Sequence, residues 1–132
     1  MSTLYLLDTE SVSCALRGEG RVGARIVAHA PSAICISAIT VAELRYGADR
    51  RKSSKLNRLI TTFTNTVTVA AFDEACAAAF AKLASRLVAK GRPVGSFDTL
   101  IAAHAIALGA TLVTNNEKHF RQADGLRFEN WL

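Results

Sequence analysis

Short apolar runs alternate with amphipathic segments along the chain. The runs Leu4-Tyr5-Leu6-Leu7, Ile34-Cys35-Ile36-Ser37, Val67-Thr68-Val69 and Thr111-Leu112-Val113-Thr114 are strand-length and rich in branched residues. They predict β-strands, buried in the first, second and fourth runs. Between them, Ser11 to Leu16 predicts a short helix, and Gly18, Gly20 and Gly23 loosen the chain before Ala24 to His29. Ile39 to Ala48 predicts a helix ending near Gly47, and Ser53 to Phe63 another with Leu56, Leu59, Ile60 and Phe63 on one face. Asp73 and Glu74 open a long alanine-rich helix to Lys90, with carboxylates at the end that suits the helix dipole. Ser96 is a good N-cap for Phe97 to Leu108, which Gly109 terminates. Arg127-Phe128-Glu129 predicts a last short strand, and Pro31 and Pro93 punctuate loops. Strands alternating with helices argue for an α/β fold: a three-layer α/β/α sandwich around a central parallel sheet.

Composition narrows the class. The chain has 132 residues, half of them hydrophobic, which predicts one domain over 1–132 and disfavours disorder. Its apolar runs fall well short of the roughly 18 residues that cross a bilayer, and no signal-peptide pattern opens it. A soluble, cytoplasmic protein with no membrane association is the expectation. Cys14, Cys35 and Cys76 are too far apart for metal-ligand spacing and predict small buried hydrophobes. His29, His104 and His119 are equally scattered, so zinc is not expected. His104 predicts a helix-face residue, with a catalytic base as the remoter alternative, His119 a solvated residue in a charged loop, and Phe97, Phe120 and Trp131 packing anchors.

The candidate chemistry lies just beyond the apolar runs. Asp8 ends the first, Glu43 follows the second by about a turn and a half of helix, Asp98 opens the stretch Thr99 to Leu108, and Asn116 and Glu117 close the fourth. In an open parallel sheet the strand carboxyl ends share one edge, and ligands bind in the crevice there. Carboxylates gathered at that edge repel one another unless a cation is present, and their oxygens suit magnesium or manganese. Each acid also has a plainer reading. Asp8 can N-cap the following helix, Glu43 can pair with Arg50 or Arg51 at the surface, and Asp98 can answer the helix dipole. Together the three make a plausible cation site.

Charge distribution adds a second clue. Of sixteen Lys and Arg, six lie between Arg45 and Arg58 against the single acid Asp49, and Lys82, Arg86, Lys90 and Arg92 form another tract. A solvated helix face explains either alone. Two basic tracts beside an acidic edge suit a polyanionic substrate, with Arg50, Arg51 and Lys52 as candidate RNA-backbone contacts.

Four stretches carry a resemblance. "YLLDTE", "ISAITVAELRYG", "GSFDTLIAAHAIALGATLVTNNEKHF" and "GLRFENW" together resemble the PIN-domain ribonucleases, most closely the VapC toxins of bacterial toxin–antitoxin modules, over nearly the whole chain. The resemblance implies a PIN-like fold and metal-dependent cleavage of single-stranded or structured RNA with Mg2+ or Mn2+. It places Asp8, Glu43 and Asp98 as catalytic, metal-binding acids, with Thr114 and Asn116 as supporting polar residues. Many PIN domains carry an aspartate where Asn116 stands, which leaves the fourth ligand open among Asn116, Glu117 and Glu10. It also implies a homodimer held inactive by a cognate antitoxin, whose C-terminal segment lies in a groove near the acids and often inserts a basic side chain. Leu44, Leu56 and Leu59 line that groove or belong to the core.

Three rivals share some of these features. Asp8-Thr9-Glu10 imitates the aspartate pair of a haloacid-dehalogenase-type phosphatase, but glutamate is longer and misplaces the second acid. A phosphoacceptor receiver domain needs an aspartate closing the third strand, and Val67-Thr68-Val69-Ala70 ends without one. A PIN-like module that binds RNA or protein without cutting is favoured only by Asn116.

Overall fold

Strand pairing explains how distant segments reach one edge. The computed structural model describes residues 3–92, 96–121 and 123–132. Among these residues five strands form one sheet: β1 (Tyr5–Leu7), β2 (Ile34–Ser37), β3 (Thr68–Ala70), β4 (Thr111–Val113) and β5 (Arg127–Glu129). Their order is β3-β2-β1-β4-β5, and every neighbouring pair is parallel. Leu7 pairs with both Ile36 and Val113. The next residues, Asp8, Ser37 and Thr114, therefore leave the three central strands side by side. The chain moves from β1 outward through β2 to β3, then returns to β4 on the other side of β1. The crevice between the carboxyl ends of β1 and β4 is thus the topological switch point, where such sheets bind ligands.

Among the described residues seven α-helices cover the sheet: α1 (Thr9–Arg17), α2 (Val22–Val27), α3 (Ala38–Arg50), α4 (Ser54–Thr64), α5 (Glu74–Ala89), α6 (Phe97–Leu108) and α7 (Glu117–Phe120). The two-residue alternation of strand side chains divides the core into two layers. Leu6, Cys35 and Leu112 pack with Leu83, Leu87 and Ile101 of α5 and α6. Leu7, Ile34, Ile36 and Val113 pack with Val12, Leu44 and Ile60 of α1, α3 and α4. The three-layer α/β/α sandwich expected from the alternation is the fold observed.

Differences are local. α3 does not stop near Gly47 but runs on to Arg50, with the Arg51 N–H donating to the Gly47 carbonyl at 3.2 Å. A helical glycine costs roughly 1 kcal/mol relative to alanine. Burial of Ala48 beside Ile60, and the clasp of Arg45 on the Asn57 carbonyl and the Thr61 hydroxyl, favour continuation. α7 occupies the segment expected to be a charged loop, and His119 lies half-buried in it against the Phe120 ring. The caps of α6 follow expectation, Ser96 accepting from the Thr99 N–H and Gly109 ending the helix at φ 64°, and Asp73 caps α5 by accepting from the Cys76 N–H. The three cysteines are free and buried, and burial pushes the Cys35 thiol up to about 11. Among the described residues no helix is long and apolar enough to cross a membrane.

Candidate active site

The carboxyl edge is built outward from Asp8. Its backbone N–H continues the sheet by donating to the Val113 carbonyl at 3.0 Å, and its side chain then N-caps α1, Oδ1 accepting from the Ser11 N–H at 2.8 Å. The capping role and the site position belong to the same residue. The Thr114 hydroxyl acts on the Asp8 carboxylate across the ends of β1 and β4 and accepts from the Asn116 N–H at 3.0 Å. Asp8 is only 4 % exposed. Burial raises its pKa above the ordinary aspartate range, the bonds from Thr114 and Ser11 oppose the rise, and the Asp98 charge adds to it.

Glu43 projects from α3, half-buried. The Thr9 hydroxyl, from the first residue of α1, donates to its Oε1 and lies 3.3 Å from the Thr40 hydroxyl. Burial raises the Glu43 pKa, the Thr9 bond lowers it, and the charges of Asp98 and Asp8 raise it further. Asp98, half-buried in the first turn of α6, thus acts on both other acids. Among the described residues none of the three joins an ion pair, and the surface pairing of Glu43 with Arg50 or Arg51 does not form. Three mutually repelling carboxylates without a cationic partner, one of them buried, are the donor set a hard cation neutralises. No three His, Cys, Asp or Glu side chains among the described residues close into a cage. Magnesium does not need one, since it binds through one or two carboxylates and keeps several waters.

The other expected residues divide. Asn116 is exposed, and its side chain does not cap α7; Glu117 is half-buried at the start of that helix. Glu10 points outward to Arg17 at 3.2 Å. Arg50, Arg51 and Lys52 are exposed, and Arg51 reaches a groove of about 560 Å³ that Glu43 also lines. Leu44, Leu56 and Leu59 line the same groove, although Leu44 is itself buried in the core.

Three features escaped sequence reasoning. Thr9 and Ser11 orient Glu43 and Asp8, and their only signal was small polar residues following an acid at a strand–helix junction. His104, expected as a helix-face residue, is fully buried, because α6 is enclosed on all sides from Ile101 to Ala105. Its Nδ1 lies 2.8 Å from the Ser37 hydroxyl, which also caps α3, so it links the helices carrying Asp98 and Glu43. Burial lowers its pKa. Phe97 is 54 % exposed and packs no core, whereas Phe120 and Trp131 are anchors as expected.

Comparison with known proteins agrees with this geometry. A family model described as PIN domain matches residues 5–126. The chain is 39% identical over 99 residues, 74% of its length and 75% of the relative's, to the tRNA(fMet)-specific endonuclease VapC of Shigella flexneri. It is 31% identical over 131 residues, 97% and 98% of the two chains, to the ribonuclease VapC1 of Haemophilus influenzae strain R2866. Its structure is similar to that of VapBC2 from Rickettsia felis bound to a promoter DNA fragment, with a TM-score of 0.90 at 33% identity over 98% of this chain and 100% of that one. The chain belongs to the PIN-domain family and, within it, to the VapC ribonucleases.

Proposed function

We propose that this endoribonuclease hydrolyses RNA at the carboxyl edge of its sheet with the help of Mg2+ or Mn2+, and that a cognate antitoxin holds it inactive. The observation that carries the reading is the unpaired triad of Asp8, Glu43 and Asp98 at the switch point of the sheet. Asp8 and Asp98 would hold the cation directly, with Glu43 direct or through water. When bound, the cation supplies positive charge to the scissile phosphate and lowers the pKa of the attacking water. The chain's own residues prepare that arrangement. Thr114 and the Ser11 N–H fix the Asp8 carboxylate, and Thr9 orients Glu43 toward the same crevice. Arg50, Arg51 and Lys52, beyond Glu43 on and after α3, guide the RNA backbone. Names of relatives from Shigella flexneri and Salmonella typhimurium specify tRNA(fMet), which supports a folded RNA with an exposed single-stranded loop as substrate.

The antitoxin reading rests on the solved relatives, which are toxin–antitoxin complexes, and on the groove beside Glu43. Its apolar wall of Leu16, Leu56 and Leu59 suits an amphipathic segment, and Glu43 offers one basic residue of that segment a partner beside the groove's own Arg17, Arg51 and Lys55. Assembly as a homodimer follows from the family resemblance. Incubating purified protein with RNA in manganese or in EDTA tests the activity, with cleavage expected only in manganese. Expression of the chain alone should arrest growth and a protein encoded beside it should restore growth. Excess manganese should compete only weakly with that partner, which contacts far more than the acids. Harmless expression of soluble, intact chain would overturn the toxin reading.

A further inference from the structure

Two aromatic side chains are exposed, and both adjoin the acids. Tyr46 is 68 % and Phe97 54 % exposed, while the other seven aromatic residues are buried or half-buried. Tyr46 follows Glu43 by three residues on α3 and so shares its helix face. Phe97 directly precedes Asp98 at the start of α6. The two rings, with Ala42 and Glu43, line one cavity of about 480 Å³. Among the described residues neither ring packs on another ring, and the Tyr46 hydroxyl makes no hydrogen bond.

We propose that Tyr46 and Phe97 form a stacking platform for an unpaired nucleobase of the RNA, next to the phosphate that is cut. The inference rests on the ribonuclease reading and extends it by naming how the substrate is positioned. Single-stranded RNA is recognised by splaying bases onto aromatic faces, while a duplex hides those faces. Stacking tolerates any base, because every base has a π-face. The platform therefore sets where the chain is cut, and leaves base identity to other contacts. Its neighbours favour RNA over a second copy of the protein. The cavity wall includes Glu43, which joins no ion pair among the described residues and whose charge an apolar subunit interface would have to enclose. The basic run Arg50, Arg51 and Lys52 begins one turn beyond Tyr46, which suits a phosphate backbone leaving the stacked base.

The test uses a single-stranded RNA substrate carrying 2-aminopurine at successive positions around the cleavage site, with full-length protein in EDTA so that binding is read without cutting. Wild type is expected to quench the probe at one position beside the cut. Tyr46→Ala and Phe97→Ala should each lose that quenching and bind about five- to a hundredfold more weakly. Tyr46→Phe should restore both, since the ring and not the hydroxyl stacks. Both side chains are exposed, so unchanged melting temperatures will show that the variants fold. Quenching and affinity equal to wild type in both alanine variants would overturn the platform, as would no quenching by wild type at any position. Dissociation of a wild-type dimer into monomers on either alanine substitution would overturn it in favour of a subunit interface. Cleavage by wild type in manganese is scored separately, so the platform can fail while the ribonuclease reading stands.

Discussion

At the centre of the edge Asp8 is almost fully enclosed and held by Ser11 and Thr114, whereas on the helical wall Glu43 and Asp98 stay half-exposed and Glu43 has Thr9 as its side-chain donor. The contrast follows from what carries each residue. Asp8 is the first residue past a strand paired on both sides, so register alone fixes it within the sheet. Glu43 and Asp98 are carried by helices whose packing sets them, and the His104–Ser37 contact is the buried polar link between those helices. The site thus has a rigid centre and an adjustable wall. Such an arrangement can hold a cation at a fixed point while admitting a bulky polyanion.

The largest effect should come from the centre. Asp8→Asn should lower RNA cleavage by about a hundredfold or more in a kinetic assay, since several kcal/mol of charge stabilisation depends on the cation. The fold should survive, because asparagine caps a helix as well as aspartate does. In EDTA this variant should melt above wild type, having lost a buried charge. The pH dependence has a definite sign. Asp8 and Glu43 have folded pKa values raised above their unfolded ones. Below the unfolded range, about pH 4, both states are protonated and the effect vanishes. As pH rises through the raised values the folded state is penalised for ionising, so metal-free wild type loses stability relative to Asp8→Asn and the gap then levels off. Melting curves from pH 4 to 8 check this.

Smaller losses should mark the wall. Thr9→Val frees Glu43 from its donor and should reduce activity by about ten- to a hundredfold, less than Asp8→Asn, as outer-shell partners of metal ligands do. An equal or greater loss would invert the comparison of centre and wall. The smallest catalytic effect belongs to the basic tract. Reversing Arg50, Arg51 and Lys52 to glutamate should weaken RNA binding and reduce its log-affinity slope against log-salt by about two. An unchanged slope would show that this tract faces something other than RNA.

The rigid centre was the legible part. Leu6-Leu7, Ile34 to Ile36 and Leu112-Val113 are buried on both faces of the sheet, so they read as continuous apolar runs, and Asp8 after the first run stood out. The wall was less legible because tertiary packing decided it. α3 ran through Gly47 on the strength of its contact with α4, and the enclosed α6 turned His104 inward. Neither neighbour is visible within one segment of sequence. α7 is four residues long, too short for a periodic signal. Phe97 looked like an anchor because aromatic residues usually are, and only its 54 % exposure separated it from Phe120 and Trp131.

The central claim is that the carboxylate edge anchored by Asp8 binds the divalent cation. Calorimetric titration of manganese into wild type and Asp8→Asn, each shown to be folded by its melting curve, tests it without RNA or an antitoxin. Wild type should bind the ion saturably, more tightly as pH rises through the raised carboxylate values, and Asp8→Asn should lose most of that affinity. Equal affinity in the two proteins, or no binding by wild type, would contradict the account.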